Sequence, residues 1–253
     1  MSALQVEPYA PDAGADAPPA AALELRGVHA GYGRVEVLHG IDLVLSRGSV
    51  LAVMGPNGAG KTTTLQVIAG LLKPTSGCVH VAGFHVNDVT PEVRARAGVC
   101  SIPEARGVFP NLTVNENLRV FTHAGDQPYH VVQERAYSRF PLLGQRRAQL
   151  AGTLSGGERQ MLSMCRAFTT DPAVLLIDEI SMGLAPLIVE ELYRVIAQLA
   201  AEGIAVLIVE QFASMALKVA DYAAIMRLGR ISAVGTPADI ADALSDAYLG
   251  PQA

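Results

Sequence analysis

Residues 55–63 read Gly55-Pro56-Asn57-Gly58-Ala59-Gly60-Lys61-Thr62-Thr63. Gly55, Gly60, Lys61 and Thr62 fall at the spacing of a phosphate loop. The chemistry needs these types. Small residues let successive backbone N–H groups turn inward around a polyphosphate. Lys61 brings a positive charge to its outer phosphates, and the Thr62 hydroxyl offers an oxygen to Mg²⁺. The flanks suit the role. Ser49–Met54 is a short apolar run of strand type, and Thr63 onward carries helical periodicity to about Leu71. Phosphate bound here lies at a helix N-terminus, where unpaired N–H groups and the helix dipole favour an anion.

Two further segments carry chemistry. Val174-Leu-Leu-Ile runs into Asp178 and Glu179, adjacent carboxylates at a strand's C-terminal end, where α/β sheets place their ligands. Asp178 suits Mg²⁺, directly or through water, and Glu179 suits the polarisation of an attacking water. Leu154-Ser155-Gly156-Gly157-Glu158 is a capped helix start whose two glycines expose backbone N–H groups. A second anion-ready helix start in one chain fits a nucleotide gripped between two chains.

The elements that must position these residues follow from pattern. Strands are expected over Leu23–Val28, Ile41–Leu45, Ser49–Met54, Cys78–Val81 and Gly98–Ile102. Thr90-Pro91-Glu92 reads as a helix start, with Thr as N-cap and Pro at the first helical position. From Thr113 to Thr170 the signals are helical, opening on the capping box Thr113-Val-Asn-Glu116. Strands return at Ala173–Ile177 and Ala205–Val209, continuous apolar runs of the kind buried on both faces. Between them Ile188, Leu192, Ile196 and Leu199 line one helix face. Tyr222–Met226 and Arg230–Val234 flank Leu228-Gly229 as a hairpin, and Thr236-Pro237-Ala-Asp239 opens a last helix. The sum is an α/β fold with a mostly parallel sheet, an antiparallel β element and an inserted helical lobe.

Size and composition narrow the class. The 253 residues suit one large α/β domain with an inserted lobe, and half are apolar. A net charge of −5 gives no basic nucleic-acid footprint. No apolar run approaches a membrane span, and the first residues show no signal-peptide pattern. Cys78, Cys100 and Cys165 are scattered, with no metal-type spacing, and are read as free thiols of a reducing compartment. Residues 1–22, rich in Ala, Pro, Asp and Gly, are expected to form a disordered extension.

Phosphate loop, Leu-Ser-Gly-Gly and Asp-Glu-ended strand, in this order and separation, resemble the ATP-binding subunits of ABC transporters. The resemblance covers residues 23–250. It implies a RecA-like core (23–103 and 166–250) and a helical subdomain over about 104–165. It also implies head-to-tail dimers in which Ser155, Gly156 and Gly157 cap ATP on the partner, and closure on ATP that drives membrane permease subunits. Residue by residue, Tyr32 matches the aromatic that stacks on adenine. Glu104 stands where the family usually has a Gln that senses Mg²⁺ and couples to the membrane subunits, so it either ligates Mg²⁺ through water or points toward the transport subunit; Gln211 stands where the family has a His touching the γ-phosphate.

Glu104, Ser181-Met-Gly-Leu-Ala-Pro186 and Val209-Glu210-Gln211 together resemble the branch that serves branched-chain amino-acid uptake. Ile180 departs from that branch, where Pro usually follows the catalytic Glu. The branch favours a second, unlike ATPase subunit, with a pair of like subunits as the alternative, and implies a secreted solute-binding protein and a place on the cytoplasmic face of the membrane. Relatives serving urea or short-chain amide uptake, and soluble ABC ATPases without a transport role, are the alternatives. A phosphate-loop kinase would leave Ser155-Gly-Gly unexplained, and a non-enzymatic regulator would leave Glu179 unexplained.

Overall fold

The computed structural model describes residues 21–103, 107–123, 125, 127–211 and 213–241. Glu104 and residues 1–20, of which the sequence raised expectations, lie outside them. The chain opens with β1 (Ala21–Tyr32) and β2 (Val35–Ser46), a long antiparallel pair. β3 (Val50–Met54), α1 (Lys61–Ala69), β4 (Ser76–Val81), β5 (Phe84–His85), α2 (Pro91–Arg96) and β6 (Val99–Ile102) follow.

The helical lobe holds α3 (Val114–Thr122), α4 (Tyr129–Arg139), α5 (Pro141–Gln145) and α6 (Gly156–Met164), with 3-10 turns at Ala151–Thr153 and Cys165–Phe168. The chain then returns through β7 (Val174–Asp178), α7 (Pro186–Ala201), β8 (Ala205–Glu210), α8 (Ala213–Val219), β9 (Tyr222–Arg227) and β10 (Arg230–Gly235).

Two sheets result. One is antiparallel, in the order β2-β1-β4-β5. The other has the order β10-β9-β3-β8-β7-β6 and is parallel except for its β9–β10 hairpin edge. The strand alternation explains the layering. Val174 and Leu176 of β7, with Ala205, Leu207 and Val209 of β8, face α1 and the antiparallel sheet. Leu175, Ile177, Val206 and Ile208 face α7 and the helical lobe. Every apolar side chain of these strands is therefore buried, as their uninterrupted apolar runs require. The lobe has no separate core: Val114, Leu118, Val132 and Phe140 join the same cluster as Leu175 and Ile177.

Several boundaries differ from the sequence expectation. The first strand starts at Ala21, which pairs with Ser46, and Ala22 is buried, so the extension gives up its last two residues to the sheet. β2 begins six residues before the expected Ile41. Its pairing shifts register between Val28 and His29 and between Ala30 and Gly31, which breaks the alternation a sequence reading depends on. α1 starts at Lys61 rather than Thr63 and stops at Gly70, whose φ of 79° forms a left-handed C-cap. Both capping boxes form: Thr113 with Glu116, and Ser155 with Glu158.

Candidate nucleotide site

The parallel order β3-β8-β7 brings three strand ends side by side. Met54 pairs with Glu210, and Asp178 with Val209. The phosphate loop, the Asp178-Glu179 pair and Gln211 therefore leave the sheet at one edge, although they are far apart in sequence.

The loop's shape depends on its glycines. A Cβ at Gly55 would lie 2.1 Å from the Met226 carbonyl oxygen, a backbone atom that cannot step aside. Gly60 has φ of 108°, a conformation that favours glycine. The loop is braced from behind: Gly229 N donates to Ala59 O at 2.8 Å, and His39 N donates to Gly229 O at 2.8 Å. Pro56 O accepts from Ala59 N at 3.1 Å. Gly60 caps α1 with no side-chain hydrogen bond, which leaves the first-turn amides to an anion. Asn57, Gly58 and Thr62 are exposed at the mouth, while Lys61 and Thr63 are buried.

Lys61 Nζ donates to Gly55 O at 2.9 Å and stands 3.5 Å from Glu179 Oε1. Thr62 Oγ1 donates to Asp178 Oδ1 at 3.3 Å. A hydroxyl and a carboxylate thus converge at the start of α1, beside the Glu179 carboxylate. Such hard oxygen donors suit Mg²⁺, which keeps most of its shell as water and substrate phosphate. No group of three or more His, Cys, Asp or Glu side chains among the described residues makes an all-protein metal cage. Val37, Asn57, Gly58, Gly60, Lys61, Thr62, Thr63 and Glu179 line one cleft over the loop.

Tyr32 ends β1 at the rim of this cleft, about half exposed. Its hydroxyl donates to Gln66 Oε1 at 2.5 Å, which fixes the ring beside the first turns of α1. Ser155 and Gly156 lie exposed at the start of α6 and are not among the residues lining that cleft. Glu158 anchors this helix start twice: its carboxylate accepts from Ser155 N at 2.9 Å and pairs with Arg146 at 3.2 Å. The structure thus gathers residues 55–63, Asp178 and Glu179 at the loop, sets Tyr32 beside α1, and places exposed Ser155 and Gly156, with buried Gly157, on a separate helix start.

One residue of the site escaped the sequence reading as a functional group. Glu210 is buried at the end of β8 and accepts from Ser181 N, Ser181 Oγ and Tyr193 Oη at 2.9–3.0 Å. Burial, and secondarily the Glu179 charge, push its carboxyl above the ordinary range, against the lowering effect of the Ser181 and Tyr193 hydrogen bonds. The sequence signal was a charged residue closing an otherwise apolar strand.

Loop, paired carboxylates and parallel sheet define a phosphate-loop nucleotide hydrolase with a RecA-like core. The comparisons take this one step further. The family model "ABC transporter" matches residues 38–181, and the chain belongs to that family. It is an ATP-binding subunit of an ABC transporter, and it hydrolyses ATP.

Among its relatives is the high-affinity branched-chain amino acid transport ATP-binding protein BraG of Pseudomonas aeruginosa. The two are 39% identical over 87% of this chain and 95% of the relative. A probable branched-chain amino acid transport ATP-binding protein, LivF of Archaeoglobus fulgidus, is 37% identical over 83% of this chain and 89% of the relative. The solved ATP-binding subunit of an ABC transporter superposes with a TM-score of 0.79 at 30% identity, covering 90% of this chain and 98% of that one. A nucleotide-free ATP-binding cassette gives 0.81 at 26% identity, covering 91% and 98%.

Proposed function

We propose that this chain powers import of branched-chain amino acids, as one of two ATPase subunits bound to membrane permeases. The observation that carries the reading is the 39% identity to a branched-chain amino-acid transport ATPase across 95% of that relative's length. Glu104, the Gly183-Leu-Ala-Pro186 turn and Gln211 support it as departures shared with that branch. No described helix is long and apolar enough to cross a membrane. The proposed place is the cytoplasmic face, with the permeases as anchor and a secreted solute-binding protein delivering cargo.

In the proposed mechanism, water attacks the γ-phosphate in line. Lys61 and the amides of residues 55–63 offset the charge that develops, the main catalytic contribution in phosphoryl transfer. Thr62 and Asp178, with Glu104 as a further ligand, would hold Mg²⁺, whose positive charge would offset the negative charge of the phosphates. Glu179 orients and polarises the water. Gln211 donates an amide N–H to the γ-phosphate and cannot carry a positive charge, so this position adds no pH dependence to hydrolysis. Tyr32 stacks on adenine. Ser155, Gly156 and Gly157 complete the site of the partner subunit.

The test is reconstitution. The full-length chain, co-expressed with the permease subunits and solute-binding protein encoded beside it, should couple ATP hydrolysis to uptake of radiolabelled leucine, isoleucine or valine. Uptake of urea or short-chain amides in place of these would shift the cargo to the alternative. Hydrolysis that stays independent of the permeases would remove the transport role.

A further inference from the structure

We propose that Glu210 is a positioning residue: a carboxylate latch that holds the turn carrying Glu179 against the end of β8. The inference rests on the reading of Glu179 as the group that orients the attacking water.

Glu179 has φ of 43°, a left-handed conformation uncommon for a residue with a long side chain. Such a conformation is strained and persists only where neighbours over-determine it. Glu179 N donates to Val209 O at 3.0 Å. Ile180 buries its side chain in the core that α7 and the helical lobe share. Two residues beyond Glu179, Ser181 donates to Glu210 twice, from its backbone N at 3.0 Å and from Oγ at 2.9 Å. Glu210 is held in turn by Tyr193 of α7, whose hydroxyl donates to Oε1 at 3.0 Å.

The turn is therefore pinned on both sides of Glu179 to consecutive residues of β8. The same strand pairs with β3 at Met54, the residue before the phosphate loop, and continues into Gln211. Glu210 ties water-orienting carboxylate, phosphate loop and phosphate-sensing amide to one strand end.

Three donors converge on its two oxygens: Ser181 N and Tyr193 Oη on Oε1, and Ser181 Oγ on Oε2. A glutamine keeps all three contacts, because its Oε1 still accepts and its NH2 donates to the Ser181 hydroxyl oxygen. A leucine offers no polar atom, so the Glu179 turn then relaxes while the nucleotide cradle, built from other residues, keeps its form. Misplacing a catalytic group by about 1 Å costs up to about a hundredfold in rate.

The experiment measures ATP hydrolysis by the full-length chain carrying Glu210→Leu, Ser181→Ala or both, with Glu179→Gln alongside. Each latch variant should lose about tenfold or more in kcat, with the KM for ATP within about twofold. The double variant should lose little more than the worse single one, because both remove one interaction. Equal changes in kcat and KM, or full additivity, overturn the latch. If Glu210→Leu does not fold, Ser181→Ala decides alone: an unchanged kcat removes the proposal. An inactive Glu179→Gln beside a fully active Glu210→Leu removes the latch only. A fully active Glu179→Gln removes the role of Glu179 and the latch with it.

Discussion

The Lys61 ammonium and the Glu179 carboxylate stand 3.5 Å apart, both largely withdrawn from solvent, at 4% and 13% exposure. The pair links the end of β7 to the first residue of α1. Replacing Glu179 by Gln keeps the shape and a hydrogen-bonding oxygen near Lys61, but removes the base. Steady-state phosphate release should fall by about a hundredfold or more, the usual worth of a positioned general base. ATP binding, read by equilibrium dialysis, should stay within a few-fold. Replacing Lys61 by Met should instead abolish measurable ATP affinity.

Tyr32 offers its exposed ring at the cleft rim, tied by its hydroxyl to Gln66. Base–aromatic stacking is worth about 1–3 kcal/mol. Tyr32→Ala should therefore raise the Kd for ATP by about tenfold, while Tyr32→Phe, which keeps the ring, should stay near wild type. Equal binding of ATP and inorganic triphosphate by the Ala variant would match the loss of base recognition. An unchanged Kd for ATP would remove Tyr32 from the site.

Gly156 tests the contribution across the dimer. A Cβ there would meet only Leu184 Cδ2, at 3.5 Å, so a side chain disturbs little within its own chain. Gly156→Asp should leave the melting temperature within about 2 °C, as most surface changes do. It should still stop hydrolysis, because a carboxylate then faces the partner's triphosphate. If the chain pairs with itself, mixed dimers of Gly156→Asp with Lys61→Met subunits should retain one working site, visible as partial recovery of phosphate release.

Arg94 is buried and pairs with no carboxylate among the described residues; its guanidinium instead serves backbone carbonyls. It donates to Val67 O at 2.7 Å and Ile68 O at 2.9 Å, the last turn of α1, and to Val86 O at 2.5 Å. A cation here also complements the negative end of the helix dipole. Arg94→Met should cost about 3 kcal/mol or more by chemical denaturation, because buried acceptors lose their donors.

Glu210 also sets a pH signature for stability. Its folded-state pKa is raised, first by burial and further by Glu179, so the native chain holds this proton more tightly than the unfolded chain. Its contribution is complete below the ordinary carboxylate pKa and declines as pH rises through the higher folded value. Relative to Glu210→Gln, wild-type stability should fall across that window; a flat difference in denaturation midpoint from acid to neutral pH would contradict the shift.

The sequence by itself determined the phosphate loop, both helix starts, the carboxylate-ended strand and the central strands. Each is a local signal. Glycine spacing, the boxes at Thr113 and Ser155, and apolar runs such as Val174–Ile177 need no distant partner to be read. β2 was only partly legible, because its register shifts and exposed face blur the alternation.

Tertiary structure alone decided the rest. Placing β8 between β3 and β7 brought Glu210 onto Ser181, 29 residues away, and onto Tyr193, 17 away. It also set Lys61 beside Glu179. Strand order comes from burying two apolar faces at once across the whole sheet, a balance over distant segments that no local window contains.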